Sequence, residues 1–178
     1  MRFLIGSDIH GSLKYASLFF KKAEDINPTK IILLGDCYYC GARNDPPELY
    51  APKEVVKLLN SYASKIIAIK GNCESEVDSL VSDFPFSEIA LMFVFGKTIT
   101  LTHGHHYSFD NLPKDPGDIF IQGHTHIGVL ERKDNLILAN PGSVSIPKDG
   151  HNSYMVLDDN GIKLLDLFDD HIYKEIQF

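Results

Sequence analysis

Residues 2–11 of the sequence read RFLIGSDIHG, a short apolar run that meets a glycine and then a polar turn. Residues 30–36 (KIILLGD) and 65–72 (KIIAIKGN) repeat this arrangement. Apolar residues at consecutive positions are typical of strands that are buried on both faces. Three such strands, with helical segments between them, predict the βαβαβ beginning of an α/β domain.

The segments between these strands have the apolar periodicity of helices. We expect a first helix over about residues 12–26, a second that begins at Pro52, and a short third one over about residues 75–81. Proline suits the first position of a helix, where its missing N–H is not needed. A loop of about fifteen residues, rich in Gly, Pro, Asn and Asp, follows Asp36. Loops of this length in compact domains are often functional.

After Pro85 the pattern changes to strands joined by tight turns. The predicted strands and hairpins are 88–96, 97–104, 118–123, a hairpin over 128–140 that turns at Asp134-Asn135, a hairpin over 153–168 that turns at Asn160-Gly161, and a last strand over 172–178. Asn-Gly is a strong hairpin signal. The sequence therefore predicts one α/β domain over residues 1–178, with two packed β-sheets and helices outside them.

Composition limits the classes of function. The chain has 178 residues, 44% hydrophobic and 23% charged, which is typical of a folded domain. Its net charge of −7 repels polyphosphate backbones and disfavours a long nucleic acid as partner. No apolar run reaches the ~20 residues of a membrane helix. The amino terminus lacks the features of a signal peptide. We expect a soluble, cytoplasmic protein.

The cysteines support the same compartment. Cys37, Cys40 and Cys73 are an odd number, which argues against a secreted disulfide framework. Cys37 and Cys40 form a C-x-x-C pair, but no second pair exists to complete a zinc site. We interpret these two cysteines as structural.

Polar residues of three kinds follow the predicted strands. They are Asp8 and His10, Asp36, Asn72, His103 and His105, and His124 and His126. In open α/β sheets, ligands gather at the carboxyl ends of strands. Imidazole and carboxylate groups suit divalent transition metals. A single GHTH is more often a polar turn than a ligand pair, but five such segments at strand ends predict a metal centre.

Spacing suggests how these side chains converge. Residues two apart on an extended segment point the same way, so we expect Asp8 and His10 to bind one ion. The same period applies to His124 and His126. Asp36 can give one carboxylate oxygen to each of two ions, which would then lie roughly 3.5–4 Å apart and clamp a phosphate.

The segments SDIHG (7–11), LGD (34–36), GNC (71–73), THGH (102–105) and GHTH (123–126), in this order, resemble the calcineurin-like metallophosphoesterase superfamily. The similarity is greatest to its small bacterial branch, the YfcE-type phosphodiesterases, and it extends over nearly the whole chain. The resemblance implies a four-layer αββα sandwich with a dinuclear metal site at the strand ends.

The resemblance also implies the ligand set. The first ion would be held by Asp8, His10, Asp36 and His126, and the second by Asp36, Asn72, His103 and His124. Asp36, Asn72 and His103 are also expected to act in catalysis. Manganese is the ion that we favour, and zinc, iron, nickel or cobalt would suit the same ligands. In this family a hydroxide bridging the two ions attacks phosphorus, and the ions neutralise the phosphoryl oxygens.

The sequence departs from the wider family at Cys73 and Glu74, because many relatives read GNHD where this chain reads GNCE. The histidine of GNHD is thought to protonate the leaving group. A thiol with a pKa near 8.5 is a poorer acid at neutral pH. We therefore expect a preference for activated diesters over alkyl monoesters. The YfcE-type branch shares the cysteine.

Four residues are candidates for substrate binding: Arg43, Asn44, Cys73 and His105. Arg43, in the long loop after Asp36, can bind a phosphate with its guanidinium group, or it is only a surface charge. His105 touches the phosphate, supports a ligand, or is an exposed loop residue. We expect His106 to be solvated. The segment PGS (141–143) is expected to shape a turn near the site.

Three functions remain open. The first is a metal-dependent phosphodiesterase that acts on a small phosphodiester. The second is a non-catalytic metal-binding scaffold of the same fold, but a scaffold is free to lose ligands and this chain keeps all seven. The third is a nuclease, which the acidic charge disfavours. Exposed hairpins late in the chain also allow a homodimer or a higher homo-oligomer.

Overall fold

Twelve strands and three α-helices make up the computed structural model, which describes residues 1–178. The helices are α1 (Leu13–Ile26), α2 (Pro52–Ser61) and α3 (Glu76–Val81), and a 3-10 turn spans Ala63–Lys65. The strands are β1 (Arg2–Gly6), β2 (Lys30–Leu33), β3 (Ile66–Ile69), β4 (Phe86–Ser87), β5 (Ile89–Val94), β6 (Lys97–Thr102), β7 (Ile119–Ile121), β8 (Gly128–Lys133), β9 (Leu136–Pro141), β10 (Ser153–Asp158), β11 (Gly161–Asp166) and β12 (Ile172–Gln177).

The strands form two mixed sheets. The first sheet has seven strands in the order β12-β11-β10-β1-β2-β3-β4, and the second has five in the order β5-β6-β7-β9-β8. In the first sheet β1 to β4 are parallel and the strands from β10 to β12 are antiparallel. In the second sheet β6, β7 and β9 are parallel, with antiparallel strands at both edges.

Two hydrophobic clusters follow from the alternation of side chains along these strands. In β1, Leu4 faces the cluster between the first sheet and helices α1 and α2, and Phe3 and Ile5 face the cluster between the two sheets. Every one of these three residues is buried. The parallel strands are thus covered on both faces, which explains their unbroken apolar runs.

Helices α1 and α2 cover the outer face of the first sheet, as the sequence predicts. The segment 103–118 lies over part of the second sheet's outer face. There the Phe109 N–H donates to the side chain of Gln122, and the Phe109 ring packs against buried Phe120. Edge strand β5 leaves Leu91 and Phe93 largely exposed.

Helix α1 begins where the sequence predicts. Ser12 is its N-cap, and the hydroxyl of Ser12 accepts a hydrogen bond from the Tyr15 N–H. The helix ends at Asn27, whose left-handed backbone stops it. The predicted hairpin at Asn160-Gly161 joins β10 to β11. None of the helices is both long and apolar enough to span a membrane.

One strand was not predicted. Residues 86–87 form β4, which pairs in parallel with β3, and only then does the chain cross to the second sheet as β5. A strand of two residues has too little periodicity to be recognised in a sequence. At Glu88 the chain passes from the first sheet to the second.

Candidate metal centre

The seven predicted metal ligands meet at one end of the two sheets. Five of them lie in the turns that follow β1, β2 and β7, and the other two follow β3 and β6. These strands belong to different sheets, so the site lies where the two sheets meet. The side chains form two groups that are joined by Asp36.

The first group is Asp8, His10 and His126, whose ligand atoms lie within 4.8 Å of one another. The Nε2 atom of His126 is 3.2 Å from Asp8 Oδ1, and the Nε2 atom of His10 is 3.6 Å from the same oxygen. All three residues are buried. These are three of the four residues in the first ligand set that the family resemblance implies, and Asp36 is the fourth.

The second group is Asp36, His103 and His124, with ligand atoms again within 4.8 Å of one another. Asn72 joins it, because Asn72 Oδ1 lies 3.1 Å from His103 Nε2. The Nδ1 atom of His124 lies 3.2 Å from the same nitrogen. The structure therefore brings all four residues of the second predicted ligand set together.

Asp36 stands between the two groups. Its Oδ2 atom lies 3.7 Å from His10 Nε2 and 3.5 Å from His103 Nε2. Its Oδ1 atom accepts a hydrogen bond from the Cys73 N–H at 2.8 Å, which fixes the plane of the carboxylate. This position suits a carboxylate shared by two ions.

Three of the four histidines are held in the form that binds metal through Nε2. The Nδ1 atoms of His10, His103 and His126 lie 2.6–2.8 Å from the backbone carbonyls of Tyr39, Leu34 and Ile146. A carbonyl oxygen only accepts, so each Nδ1 must carry the proton. In the neutral ring Nε2 then has a free lone pair, which is the usual arrangement of a metal-binding histidine.

The donor set fits a cation. The Nε2 atoms of His10 and His126 are 3.2 Å apart, and both carry lone pairs in the neutral rings. Asp8 Oδ1 is fully buried and has no hydrogen-bond partner. Buried polar atoms in folded proteins nearly always have a partner. A divalent ion between these three atoms would satisfy all of them.

The pKa values of His103 and Asp8 in the metal-free chain also indicate that this site favours a positive charge. Burial lowers the pKa of His103, but contact with Asp36 and the charges of Asp8 and Asp36 outweigh it and raise that pKa to about 9. Burial alone would raise the pKa of Asp8, yet contacts with His10 and His126 hold it well below its usual range. Protons here take the place of a cation.

The backbone at the site is unusual. Ten non-glycine residues of the chain have a positive φ, and five of them are predicted ligands: Asp8, His10, Asp36, His124 and His126. Left-handed backbone is disfavoured for residues with a side chain and tends to cluster at functional sites. The turns after β1, β2 and β7 are therefore shaped to direct these side chains.

This backbone corrects one step of the sequence interpretation. We expected Asp8 and His10 to converge because they lie two apart on an extended segment. They do converge, but φ is 57° at Asp8 and 49° at His10, so the segment is a tight turn and not a strand. The same spacing led us to expect His124 and His126 to converge on one ion, but they do not. His124 contacts His103, and His126 contacts Asp8.

Two residues outside the predicted ligands and substrate-binding residues hold the ligand turns in place. The Glu74 carboxylate accepts hydrogen bonds from the N–H groups of Asp36, Cys37 and Gly71. The hydroxyl of Ser143 donates to the carbonyl of Asp8 at 2.8 Å, so the PGS segment shapes a turn at the site as expected. The signal that the sequence offered for Glu74 was an acidic residue directly after the GNC motif.

Burial raises the pKa of Glu74, and the negative charge of Asp36 adds to this effect. The three N–H donors act in the opposite direction, and the resulting pKa is about 7. The ends of β2 and β3 approach closely here. A Cβ at Gly35, where φ is +98°, would lie 2.6 Å from the Gly71 nitrogen, so only glycine fits.

A cavity of about 970 Å³ opens onto both groups. Three of the four predicted substrate-binding residues line it: Arg43, Asn44 and Cys73. Arg43 is exposed, and the amide of Asn44 donates to the carbonyl of Cys40 at 2.7 Å. The structure adds lining residues that the sequence did not identify, namely Tyr39, Ile127 and Lys148.

Cys73 lies beside the first group. Its sulfur is within 4.8 Å of potential ligand atoms of His10 and Asp36. Burial and the charge of Asp36 raise the pKa of its thiol well above the usual range. The thiol therefore keeps its proton at neutral pH. Cys37 and Cys40 are buried, form no disulfide and belong to neither group, in agreement with a structural role.

His105 does not line the cavity. Its ring centroid lies 5.3 Å from that of His103 and 3.9 Å from that of His106. Burial and the charges of His103 and His106 lower its pKa to about 4. Its predicted contact with the substrate stays a prediction.

Comparison with known proteins gives consistent results. The family model of the calcineurin-like phosphoesterase superfamily domain matches residues 1–161. The sequence is 38% identical to the phosphodiesterase YfcE of Escherichia coli over 99% of this chain and 97% of that protein. It is 28% identical to a phosphodiesterase of Methanocaldococcus jannaschii over 80% of this chain and 83% of that protein.

Solved structures agree. The structure of YfcE, a phosphoesterase from E. coli, superposes with a TM-score of 0.96 at 37% identity and covers 99% of both chains. Vps29 of Entamoeba histolytica, solved in complex with Zn²⁺, superposes with a TM-score of 0.64 at 18% identity over 99% of both chains. The latter similarity concerns the fold alone.

Proposed function

Because the chain belongs to the calcineurin-like phosphoesterase superfamily, we propose that it is a metal-dependent phosphodiesterase that hydrolyses a small, activated phosphodiester. The observation that carries the proposal is the position of Asp36, whose Oδ2 atom lies between His10 and His103 and so between the two ligand groups. Two divalent ions bound there would activate a water molecule for attack on phosphorus and neutralise the phosphoryl oxygens.

The protein's own residues position the reaction. Backbone carbonyls orient three histidine rings, and the Cys73 N–H orients Asp36, so the ligands need little rearrangement on binding metal. Asn72 Oδ1, which lies 3.1 Å from His103 Nε2, would complete the ligand set of a second ion. We expect Asp36, Asn72 and His103 to act in catalysis.

The cavity indicates the kind of substrate. Arg43 and Lys148 give its wall two cationic groups, which suit the phosphate of a diester. Tyr39 and Ile127 are partly exposed in the same cavity and suit an apolar ester group. A volume of about 970 Å³ is in the range of small-molecule sites. A chain of net charge −7 does not favour a long nucleic acid.

Manganese is the ion that we propose, on the mixed carboxylate, amide and imidazole ligand set. Zinc, iron, nickel and cobalt are the competitors. The three free cysteines, two of them buried, suit the reducing environment of the cytoplasm, where we propose that the enzyme acts.

The test is hydrolysis of bis(p-nitrophenyl) phosphate by chelator-treated protein to which Mn²⁺, Zn²⁺, Ni²⁺, Co²⁺ or Mg²⁺ is returned. We expect activity only with metal, most with Mn²⁺, and a loss of at least about a hundredfold in Asp36→Asn. The matched control is Asp25→Asn, an exposed aspartate on α1. It should keep full activity.

The competing function is a metal-binding scaffold without activity. It predicts that metal binds, that Asp36→Asn weakens this binding, and that no phosphate ester is hydrolysed with any of the five ions. That result would overturn the proposed phosphodiesterase. Equal activity of Asp36→Asn and wild-type protein would overturn the proposed site.

A further inference from the structure

A third group of potential metal ligands lies outside the cavity. Glu88, His105 and His106 offer one carboxylate oxygen and two imidazole nitrogens that lie within 4.8 Å of one another. We propose that these three residues bind one divalent transition-metal ion of their own, a site that is independent of the proposed phosphodiesterase activity.

The fold brings these residues together from two connections. Glu88 occupies the crossing between β4 and β5, and His105 and His106 follow β6. Strands β5 and β6 are antiparallel, with Ile89 opposite Thr102, so the start of β5 lies beside the end of β6. The three side chains therefore meet at one edge of the second sheet.

The site is separate from the candidate metal centre. It shares no ligand with either group there, and none of its residues lines the cavity. The His105 ring centroid is 5.3 Å from that of His103 and 6.3 Å from that of His124. Its ion would be a neighbour of the other two, reached from solvent through exposed Glu88 and His106.

An unpaired atom gives independent support. The Nδ1 atom of His105 is buried and has no hydrogen-bond partner, one of only four such side-chain atoms in the chain. Another of the four is Asp8 Oδ1, which belongs to the first group of the candidate metal centre. A buried ring nitrogen without a partner needs an explanation, and an ion bound at this nitrogen would supply the missing partner.

Glu88 has no strong competing partner. Its carboxylate lies 3.8 Å from Lys70 Nζ, and the two side chains are 61% and 36% exposed. An exposed ion pair at that distance contributes little. Two imidazoles and one carboxylate, with positions left for water, suit Zn²⁺, Ni²⁺, Co²⁺ or Cu²⁺ better than Mg²⁺ or Ca²⁺.

The ion would brace the segment 103–118, which contains no helix and no strand. His103 and Asp118 anchor the ends of that segment, but between them the chain is held by few contacts. These include a short bridge between Ser108 and Asn111, a hydrogen bond from the Asn111 amide to the carbonyl of His106, and the hydrogen bond and ring packing of Phe109. A metal link from His105 and His106 to Glu88 would tie its beginning to β5. The expected effect is local order in this segment.

The first measurement is the amount of Zn²⁺ bound per chain after equilibrium dialysis of chelator-treated protein. We expect Glu88→Gln and His106→Ala each to bind one ion fewer than wild type, while His171→Ala, an exposed histidine outside every group, binds the same amount. Both variants change exposed side chains, so folding should be retained. Equal zinc content of wild type and both variants would overturn the proposal.

The second measurement is a zinc titration followed through the side-chain ¹⁵N signals of the histidines. We expect the His105 and His106 signals to shift and those of His171 to remain. If His106 does not respond even in excess zinc, the site does not exist. The Asp36→Asn variant distinguishes this site from the candidate metal centre. It should weaken metal binding at that centre and leave the response of His106 to zinc unchanged.

Discussion

The carboxylate of Glu74 accepts a hydrogen bond from the backbone N–H of Asp36 at 2.8 Å, across 38 positions of the chain. The same carboxylate also accepts the N–H groups of Cys37 and Gly71. One buried side chain therefore joins the turn after β2 to the turn after β3. Both turns carry metal ligands, Asp36 in the first and Asn72 in the second.

Replacing Glu74 should damage both stability and metal binding. In Glu74→Gln one oxygen is exchanged for an amide that cannot accept, so at least one buried N–H loses its partner, at a cost of about 2–3 kcal/mol. For a chain of this size the melting temperature should fall by roughly 5–10 °C. Metal affinity should fall about tenfold, since residues that support ligands typically contribute this much.

Calorimetry and metal titration of Glu74→Gln would check this prediction. The matched control is Glu76→Gln, an exposed glutamate in the first turn of α3 that contacts no ligand turn. Its melting temperature should change by less than about 3 °C, as expected for a charge near a helix N-terminus. Equal behaviour of the two variants would show that Glu74 is not needed to join the turns.

Metal should stabilise the protein, and by more at higher pH. In the metal-free chain the pKa of His103 is raised to about 9, so the stability that its protonation contributes is complete below pH 6.5 and is lost as the pH rises through 9. An ion that binds the same nitrogen must displace this proton, so its affinity grows over the same interval. At a hundred times Kd it adds about 2.7 kcal/mol.

The measurement is the melting temperature with chelator and with Mn²⁺ at several values between pH 6.5 and 9. We expect the metal-free value to fall and the difference between the two to widen. His103→Gln should remove most of this pH dependence. A difference that is constant over the interval would mean that His103 does not exchange its proton for metal.

The strands, the hairpins and the ligand set could be predicted from the sequence, because apolar runs and Asn-Gly turns act locally. Two features could not. The spacing of His124 and His126 did not show that His126 pairs with Asp8 and His124 with His103, because the pairing depends on left-handed turns; only the family resemblance implied it. The meeting of Glu88 with His105 and His106 depends on a two-residue strand that sends the chain from one sheet to the other.

Arg43 offers a test of substrate binding that leaves the metal ligands intact. It is exposed, lines the cavity and has no acidic partner within 4 Å, so its guanidinium is available to a phosphate. Arg43→Ala should raise KM for bis(p-nitrophenyl) phosphate by about three- to tenfold, or about 0.6–1.4 kcal/mol, with little change in kcat. Arg132→Ala, on β8 and away from the cavity, is the control. An unchanged KM would leave Arg43 as a surface charge.

The position of Cys73 should determine which esters are hydrolysed. Its thiol lines the cavity beside Asp36, and burial together with that charge raises its pKa, so the proton is held too firmly to be given to a leaving group at neutral pH. Diesters with good leaving groups do not need that proton, but alkyl monoesters do. We expect Cys73→His, which places an imidazole at the same position, to raise the monoester rate relative to the diester rate by about tenfold or more.

Steady-state kinetics with p-nitrophenyl diesters and with an alkyl monoester would measure this ratio. Cys73→Ser is the control, because a hydroxyl has nearly the same size as the thiol and is no better as an acid. It should leave the ratio where it is in the wild type. If Cys73→His leaves the ratio unchanged while still binding metal, the leaving group obtains its proton from elsewhere, and the cysteine would not be the cause of a preference for diesters.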